Sequence, residues 1–322
     1  MKLGELYQMV IQKGLEADVR PQEQISRARE ARRAVYDRLP PWQKKCVDQK
    51  EWMNPFSDSR ILWGEEEQEI RSALVGIDIS GEELLLIDRM REKGRALDLA
   101  ISHHPAGSAY ANFYEVMDLQ VDMFSQQGVS VAVSENLVGE RKSQIARKVS
   151  AVNHQRAVDV AKLLGIPFLC MHTPCDNLAY RHVHALMEHH APATLGGVVE
   201  LLYSVPEYET AAKENNPPKI IIGKNSSRVR KIHVEFTGGT EGPQSIYSRL
   251  ASQGVDTIIA MHQSEAHFKK CKEANINVIF ASHIASDTLG VNLMLDHLEQ
   301  KETLEIMECS GFRRVSRNGT QK

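Results

Sequence analysis

The chain has 322 residues, 42% of them hydrophobic and 25% charged, with a formal net charge of -3. That length and balance allow a sizeable core and predict a soluble globular protein, built as two α/β lobes or one large domain. The charge gives no bulk drive toward nucleic acid or an acidic membrane surface, and no apolar run approaches a membrane span or a secretory leader, so a cytoplasmic setting without membrane or nucleic-acid partner is expected.

Residues 1–70 are rich in Arg, Glu and Gln, and "ISRAREARRAVYDRL" reads as a helix broken at Pro40 and Pro41. The region is expected to be a solvated helical extension, its basic residues interspersed with acids. The texture changes near residue 71. "ALVGIDI" (73–79) is a β-rich run, and "SGEELLLIDRMREKG" opens with Ser80 and Glu83 spaced as a capping box and closes on Gly94. "LDLAISHH" supplies a second strand, so the unit reads βαβ with parallel pairing. Residues 110–127 are expected to form an amphipathic helix. One long helix is expected over 137–164, with Ile145, Val149 and Val152 on its apolar stripe and Gly165 at its end. "IPFLCMHTPCDN" reads as a strand running into a loop. The second half alternates strands and helices: "KIIIG", "RKIHVEFTGG", a helix after Gly242, "DTIIAMH", a helix from Ser264, "NVIFASH" and a helix through Leu298. "PEYETAAKENNPP" reads as linker or loop. The expected lobes are about 71–195 and 196–313, with 314–322 a frayed tail.

Polar ligand types recur where apolar strands stop: His103 and His104 in "AISHHPAG", His172 and Asp176 in "HTPCD", His283 and Asp287 in "HIASD". Ligand sites in open α/β sheets gather outside the carboxyl ends of the strands. Pro105 forces a turn that can bring both adjacent imidazoles to one cavity, and the i, i+4 spacing of His283 and Asp287 puts both on one side of a helical first turn. Imidazole and carboxylate donors without thiolates suit Zn, Mn, Fe, Co or Ni. Six such groups exceed the need of one tetrahedral ion, whereas two ions would share a bridging carboxylate and a bridging water.

The order "VGIDIS…LDLAISHHP", "MHTPCDN", "GVDTIIAMH…NVIFASHIASDTLGVN" over about residues 71–300 resembles the NIF-three-like (Ngg-interacting factor three) family, dinuclear-metal proteins described as type 2 GTP cyclohydrolase I. The resemblance implies that His103 binds one metal ion and His104 the other, that Asp176 and His283 are ligands, and that Asp287 bridges. It places His172 beside them in the same cavity, and it implies a ring-shaped homohexamer. Two departures stand out: Asp287 occupies a position where the family usually has Glu, and "SRILWG" stands where typical members carry a Trp-Asp-Asn motif. The expected activity is dinuclear metal-dependent hydrolysis of a small molecule by a bridging hydroxide. A non-catalytic metal-binding assembly or regulatory protein is the alternative.

Other segments read more plainly. "GGTEG" (238–242) is a strand-to-helix turn, Cys175 is expected to turn away from the metal, and the four histidines of "RHVHALMEHH" to line an exposed helix. His262 and Glu265 in "MHQSE" end another strand and are the next candidates for substrate contact or proton transfer. Five cysteines, odd in number and without CxxC spacing, fit reduced thiols.

Overall fold

Short strands that are apolar on both faces set the architecture, because such strands must be covered on both sides. The computed structural model describes residues 1–47 and 54–319. Its first part comprises α1 (Leu3–Glu16), α2 (Gln22–Asp37), α3 (Pro41–Lys44), β1 (Ser59–Trp63), β2 (Ser72–Gly76), α4 (Gly81–Glu92), β3 (Leu99–Ser102) and α5 (Gly107–Ala111). After a short 3-10 helix over Phe113–Asp118 come α6 (Leu119–Gln126), α7 (Val131–Val149), α8 (Arg156–Leu164), β4 (Phe168–Met171), α9 (Thr173–His190), α10 (Leu195–Tyr203) and α11 (Pro206–Lys213). The rest is β5 (Lys219–Ile222), β6 (Ile232–Glu235), α12 (Ile246–Ser252), β7 (Thr257–Ala260), α13 (Glu265–Glu273), β8 (Asn277–Phe280), α14 (His283–Glu299) and β9 (Glu305–Glu308).

Two mostly parallel sheets result, ordered β1-β4-β3-β2-β9 and β5-β8-β7-β6; β1 and β5 are the antiparallel edge strands. The period-2 alternation of side chains divides the first sheet cleanly. Leu74, Ala100 and Phe168 face α4 and α8, while Ala73, Val75, Leu99, Ile101 and Leu169 face α1, α9 and α14. On the second sheet, Val234, Ile259 and Ile279 pack with residues of α9, α10 and α14, and Ile258, Ala260 and Val278 with α6, α7, α12 and α13. Helices α9 and α14 therefore lie between the two sheets. Gly290 lets them meet: a Cβ there would collide with the carbonyl oxygen of Cys175. Among the described residues, no helix is long and apolar enough to cross a membrane.

The packing corrects several expectations. Residues 1–70 are not a detached helical extension. Leu3, Leu6 and Val10 of α1 are fully buried, Gly14 approaches Pro174 so closely that a Cβ would stand 2.6 Å from it, and β1 pairs with β4. The lobes do not divide at residue 195, because β9 returns to the first sheet beside β2 while α6 and α7 cover the second. The long helix over 137–164 is two helices. Asn153 Oδ1 accepts the Gln155 backbone N–H at 3.2 Å, a local turn that competes with the helical ladder, and Val152 is left exposed. Of the helix expected over 110–127, residues 110 and 111 close α5, the 3-10 turn follows, and α6 covers only the second half.

The 206–218 linker opens with α11, where Pro206 occupies a first-turn position, Glu207 and Glu209 complement the helix dipole, and Tyr208 is buried. The tail is docked as far as it is described. Arg314 meets Asp296 at 2.6 Å and Glu299 at 2.7 Å, and Arg317 grips the buried Glu207 carboxylate through both its terminal nitrogens. Residues 320–322 lie outside the described residues.

Candidate metal centre

Three strand ends and two helix starts converge on one point. Beyond β3, the backbone N–H groups of His103 and His104 still bond the carbonyls of Gly76 and Ile77, at 3.0 and 2.9 Å, which holds both residues at the edge of the sheet. His172 follows β4 and caps α9, so "HTPCD" opens a helix rather than a loop, and Asp176 lies in its first turn. His283 is the first residue of α14 and Asp287 lies one turn on. Entry to α14 passes through Ser282, which holds the left-handed φ of 80°, a strained conformation for a serine that persists where the surroundings dictate it. Asn216 donates to its hydroxyl at 3.0 Å, and its carbonyl accepts from Ser286 Oγ at 2.8 Å.

His103 Nε2 lies 3.3 Å from Asp176 Oδ1 and 3.4 Å from Asp287 Oδ1. The other oxygen of Asp287, Oδ2, is 3.5 Å from both His104 Nε2 and His283 Nε2. These separations match the edge of a tetrahedron, about 1.6 times a metal–ligand distance of about 2.1 Å. His103 Nε2, Asp176 Oδ1 and Asp287 Oδ2 are buried without a hydrogen-bond partner, an expensive arrangement for polar atoms unless something bonds them. Positive charge is favoured here. Burial opposes protonation of His103 and His104, yet the neighbouring carboxylates outweigh it and hold His103 well above the usual imidazole range and His104 near 9. The donor set, orphaned atoms and charge fit a divalent cation, and the groups His103–Asp176–Asp287, His104–His283–Asp287 and His103–His104–His172 are each close enough to hold one.

Two carboxylates absent from the sequence reading orient these imidazoles. Asp78, just past β2, accepts from His104 Nδ1 at 2.8 Å. Asp58, fully buried, accepts from His172 Nδ1 at 2.8 Å and from Thr173 Oγ1 at 2.5 Å. Burial pushes the Asp58 carboxyl up, but the hydrogen bonds from His172 and Thr173 outweigh it, so the group is ionised. Each bond fixes the donor proton on Nδ1 and turns Nε2 toward the cluster, as second-layer carboxylates do for metal-binding histidines. His172 Nε2 accordingly stands 3.7 Å from Asp176 Oδ2. Cys175 does not turn away as expected. Its buried thiol lies against His103, and burial raises its pKa, so it stays protonated and adds no charge.

A cavity of ≈ 80 Å³ opens from the cluster between the sheets, room for several waters or a small group. His262 lines it, its ring 4.6 Å from that of His283. Glu265 does not: it starts α13 on the surface and pairs with Lys269 at 3.4 Å. The glutamates that line the cavity are Glu235, the last residue of β6, and Glu241 in the glycine-rich turn. The four histidines of 181–190 lie on α9 away from the cluster, with His189 and His190 exposed.

A family model described as Duf34/NIF3 (NGG1p interacting factor 3) matches residues 117–312, more than half of the chain. The chain belongs to the Duf34/NIF3 family. The Duf34/NIF3 match contains Asp176, His283 and Asp287, whereas His103 and His104 precede it and reach the cluster through the fold. A NIF3 superfamily protein from Sphaerobacter thermophilus is 28% identical with a TM-score of 0.71, over 80% of this chain and 92% of that one. Reduced HcgD from Methanocaldococcus jannaschii is 13% identical with a TM-score of 0.47, over 80% of this chain and 94% of that one. A Staphylococcus aureus hypothetical protein is 16% identical with a TM-score of 0.42, over 83% and 94%. No curated protein matches the chain. Membership of Duf34/NIF3 accords with the two-sheet fold and with the His/Asp cluster between the lobes.

Proposed function

We propose that this protein is a dinuclear metal-dependent hydrolase in which His103, Asp176 and Asp287 hold one divalent ion and His104, His283 and Asp287 the other. The observation that carries the reading is the division of Asp287: Oδ1 faces His103, and Oδ2 faces His104 and His283. A carboxylate so placed can bridge two cations and offset their repulsion. When bound, a pair of such ions activates water near neutral pH and polarises a substrate oxygen.

The protein's own groups do the rest. His172, fixed by Asp58, presents Nε2 to the cluster as a proton acceptor, and the ionised Asp58 stabilises the imidazolium that forms. Asp78 keeps His104 in the tautomer whose Nε2 is free to bind metal. His262 lines the cavity beside His283, where it can contact substrate.

Exposure distinguishes the two groups. The side chains of His103, Asp176 and Asp287 are at most 6% exposed, whereas His104 and His283 are 26% and 36% exposed. An accessible group leaves room for an exchangeable ligand, which catalysis requires. The closed His103 group favours a second reading, in which that ion serves structure or regulation.

By resemblance, GTP is the first substrate to test and the assembly a homohexamer, while phosphoester, cyclic amide and imidazole-ring substrates suit the same pair of ions. The test is reconstitution with Zn, Mn, Fe, Co or Ni, elemental analysis, then turnover assays over nucleotides and phosphoesters, with native mass spectrometry for the assembly. Close to two ions per chain and metal-dependent turnover are expected. Absence of bound metal after reconstitution overturns the centre, and metal without turnover on any substrate favours the regulatory reading.

A further inference from the structure

The cavity has a second end that the metal cluster does not use. Its wall is built by β6, α6 and the turn Gly238–Gly242. Gln120 of α6 donates through Nε2 to the carbonyls of Gly238 at 2.9 Å and Thr240 at 2.6 Å. Gly238 and Gly239 both hold positive φ, and a Cβ on Gly238 would stand 2.6 Å from Gln120 Cγ, so turn and helix fit only with glycine there. With both carbonyls taking its amide hydrogens, Gln120 is left with Oε1 as an acceptor. That oxygen is buried and has no partner.

Beside it, His233 on β6 is 1% exposed and its Nε2 is also unpartnered, 3.9 Å from Glu235 Oε1. Burial holds this imidazole neutral, with a pKa lowered to about 4. Tyr247 donates to Glu235 Oε2 at 3.3 Å, and Gln263 also hydrogen-bonds this carboxyl group. Glu241 completes this end, with Oε2 3.4 Å from His267 Nδ1. The polar lining is thus rich in acceptors, and among the described residues that line the cavity none is Lys or Arg. A phosphate or carboxylate would find no cationic partner at this end, whereas an N–H group would satisfy the orphaned lone pairs.

We propose that this end of the cavity is a subsite for the N–H-bearing part of the substrate, an ammonium, amidinium or ring amide, with Glu235 as its principal acceptor and Gln120 Oε1 as the second. The inference rests on the metal-centre reading, because the same molecule would present an oxygen to the His/Asp cluster and its N–H groups to Glu235. The ligand class is therefore a short molecule with a metal-binding oxygen at one end and N–H donors at the other.

The probes are alkyl hydroxamates of matched chain length, ending in methyl, carboxylate or amidinium, titrated calorimetrically into the metal-loaded full chain at pH 8, above the Glu235 pKa of about 7. In the wild type the amidinium probe is expected to bind about tenfold or more tighter than the methyl probe at the best chain length, and the carboxylate probe weaker than either. Glu235→Gln, whose fold is checked by its melting curve, is expected to abolish most of that preference while leaving the methyl probe's affinity unchanged. Equal binding of methyl and amidinium probes at every length in the wild type overturns the subsite without needing any variant. A preference that survives in a folded Glu235→Gln protein removes Glu235 from it. A chain that elemental analysis finds free of metal after reconstitution, and that does not bind acetohydroxamate, overturns the metal-centre reading instead, and the proposal with it.

Discussion

Asp58 accepts a hydrogen bond from His172 Nδ1 at 2.8 Å, across 114 residues of sequence. The bond exists because β1 runs antiparallel beside β4, with Ser59 opposite Met171, so the residue before β1 meets the residue after β4. Asp58→Asn nearly preserves shape but removes the charge and the unambiguous Nδ1–H acceptor. Metal affinity or turnover is expected to fall about 10- to 100-fold with little change in melting temperature. Parallel metal titrations of the two proteins measure it, and an unchanged affinity and rate would show that His172 needs no such orientation.

A fragment beginning at Ser72 is expected not to fold cooperatively. It lacks β1, the antiparallel edge of the first sheet, and α1, whose Leu3, Leu6 and Val10 close one face of that sheet. Their loss exposes several fully buried side chains, each stabilising by about 1.5–3 kcal/mol when buried. Circular dichroism melting decides the point: a sharp transition in the fragment would show that the N-terminal helical extension is separable from the rest.

Asp287 is the acid whose exchange tests the metal count. Asp287→Asn is expected to lose at least one of two ions and to lower any turnover by orders of magnitude, because an amide cannot neutralise two cations. Asp287→Glu, a methylene longer, is expected to retain both. His103→Ala and His104→Ala should each lose a different ion, so that chelator removal from either variant becomes monophasic where the wild type is biphasic. Elemental analysis of the four proteins is the measurement, and wild-type metal content in Asp287→Asn would remove this residue from the ligand set.

Glu235 gives the pH dependence a definite sign. Burial raises its carboxyl pKa to about 7 from the ordinary 4.5, with the nearby Glu241 adding to the rise and hydrogen bonds from Tyr247 and Gln263 opposing it. The folded chain therefore holds a proton that the unfolded chain releases. The associated stability is complete below about pH 4.5 and disappears as pH rises through 7, about 3 kcal/mol in all. Glu235→Gln carries no such group, so its stability relative to the wild type should increase between pH 5 and pH 8. Denaturant unfolding at the two pH values checks this; a constant difference would place Glu235 in an ordinary solvated setting.

Much of the fold was legible because its signals are local. The capping box at Ser80 forms, with the Ser80 backbone N–H donating to Glu83 at 2.8 Å, and Gly165 ends α8 in the left-handed conformation. His103, His104, His172, Asp176, His283 and Asp287 were visible as polar residues that interrupt apolar strands at one end of a sheet. Asp58 was not, since no apolar run precedes it and its partner is set by a distant strand pairing. Asp78 lay inside a motif read as plain strand. The rule that points to His262 at the end of β7 applies equally to β6, whose last residue is Glu235, whereas Glu265 begins a surface helix. The division into lobes was hidden because sheet order is not sequence order, and nothing near residue 305 announces that β9 returns to β2.

That return shapes how the protein is made. Among the described residues, strand β9 pairs only with β2, more than two hundred residues earlier, and α14, which carries Asp287, immediately precedes it. On the ribosome, a growing chain that already displays His103 and His104 has no Asp287 to set against them until a further 183 residues have been synthesised. Pairings so distant in sequence close slowly. Nascent chains consequently pass through a long interval in which the imidazoles and the edge of β2 await partners from far downstream, so the complete cluster cannot form in a first lobe that matures on its own.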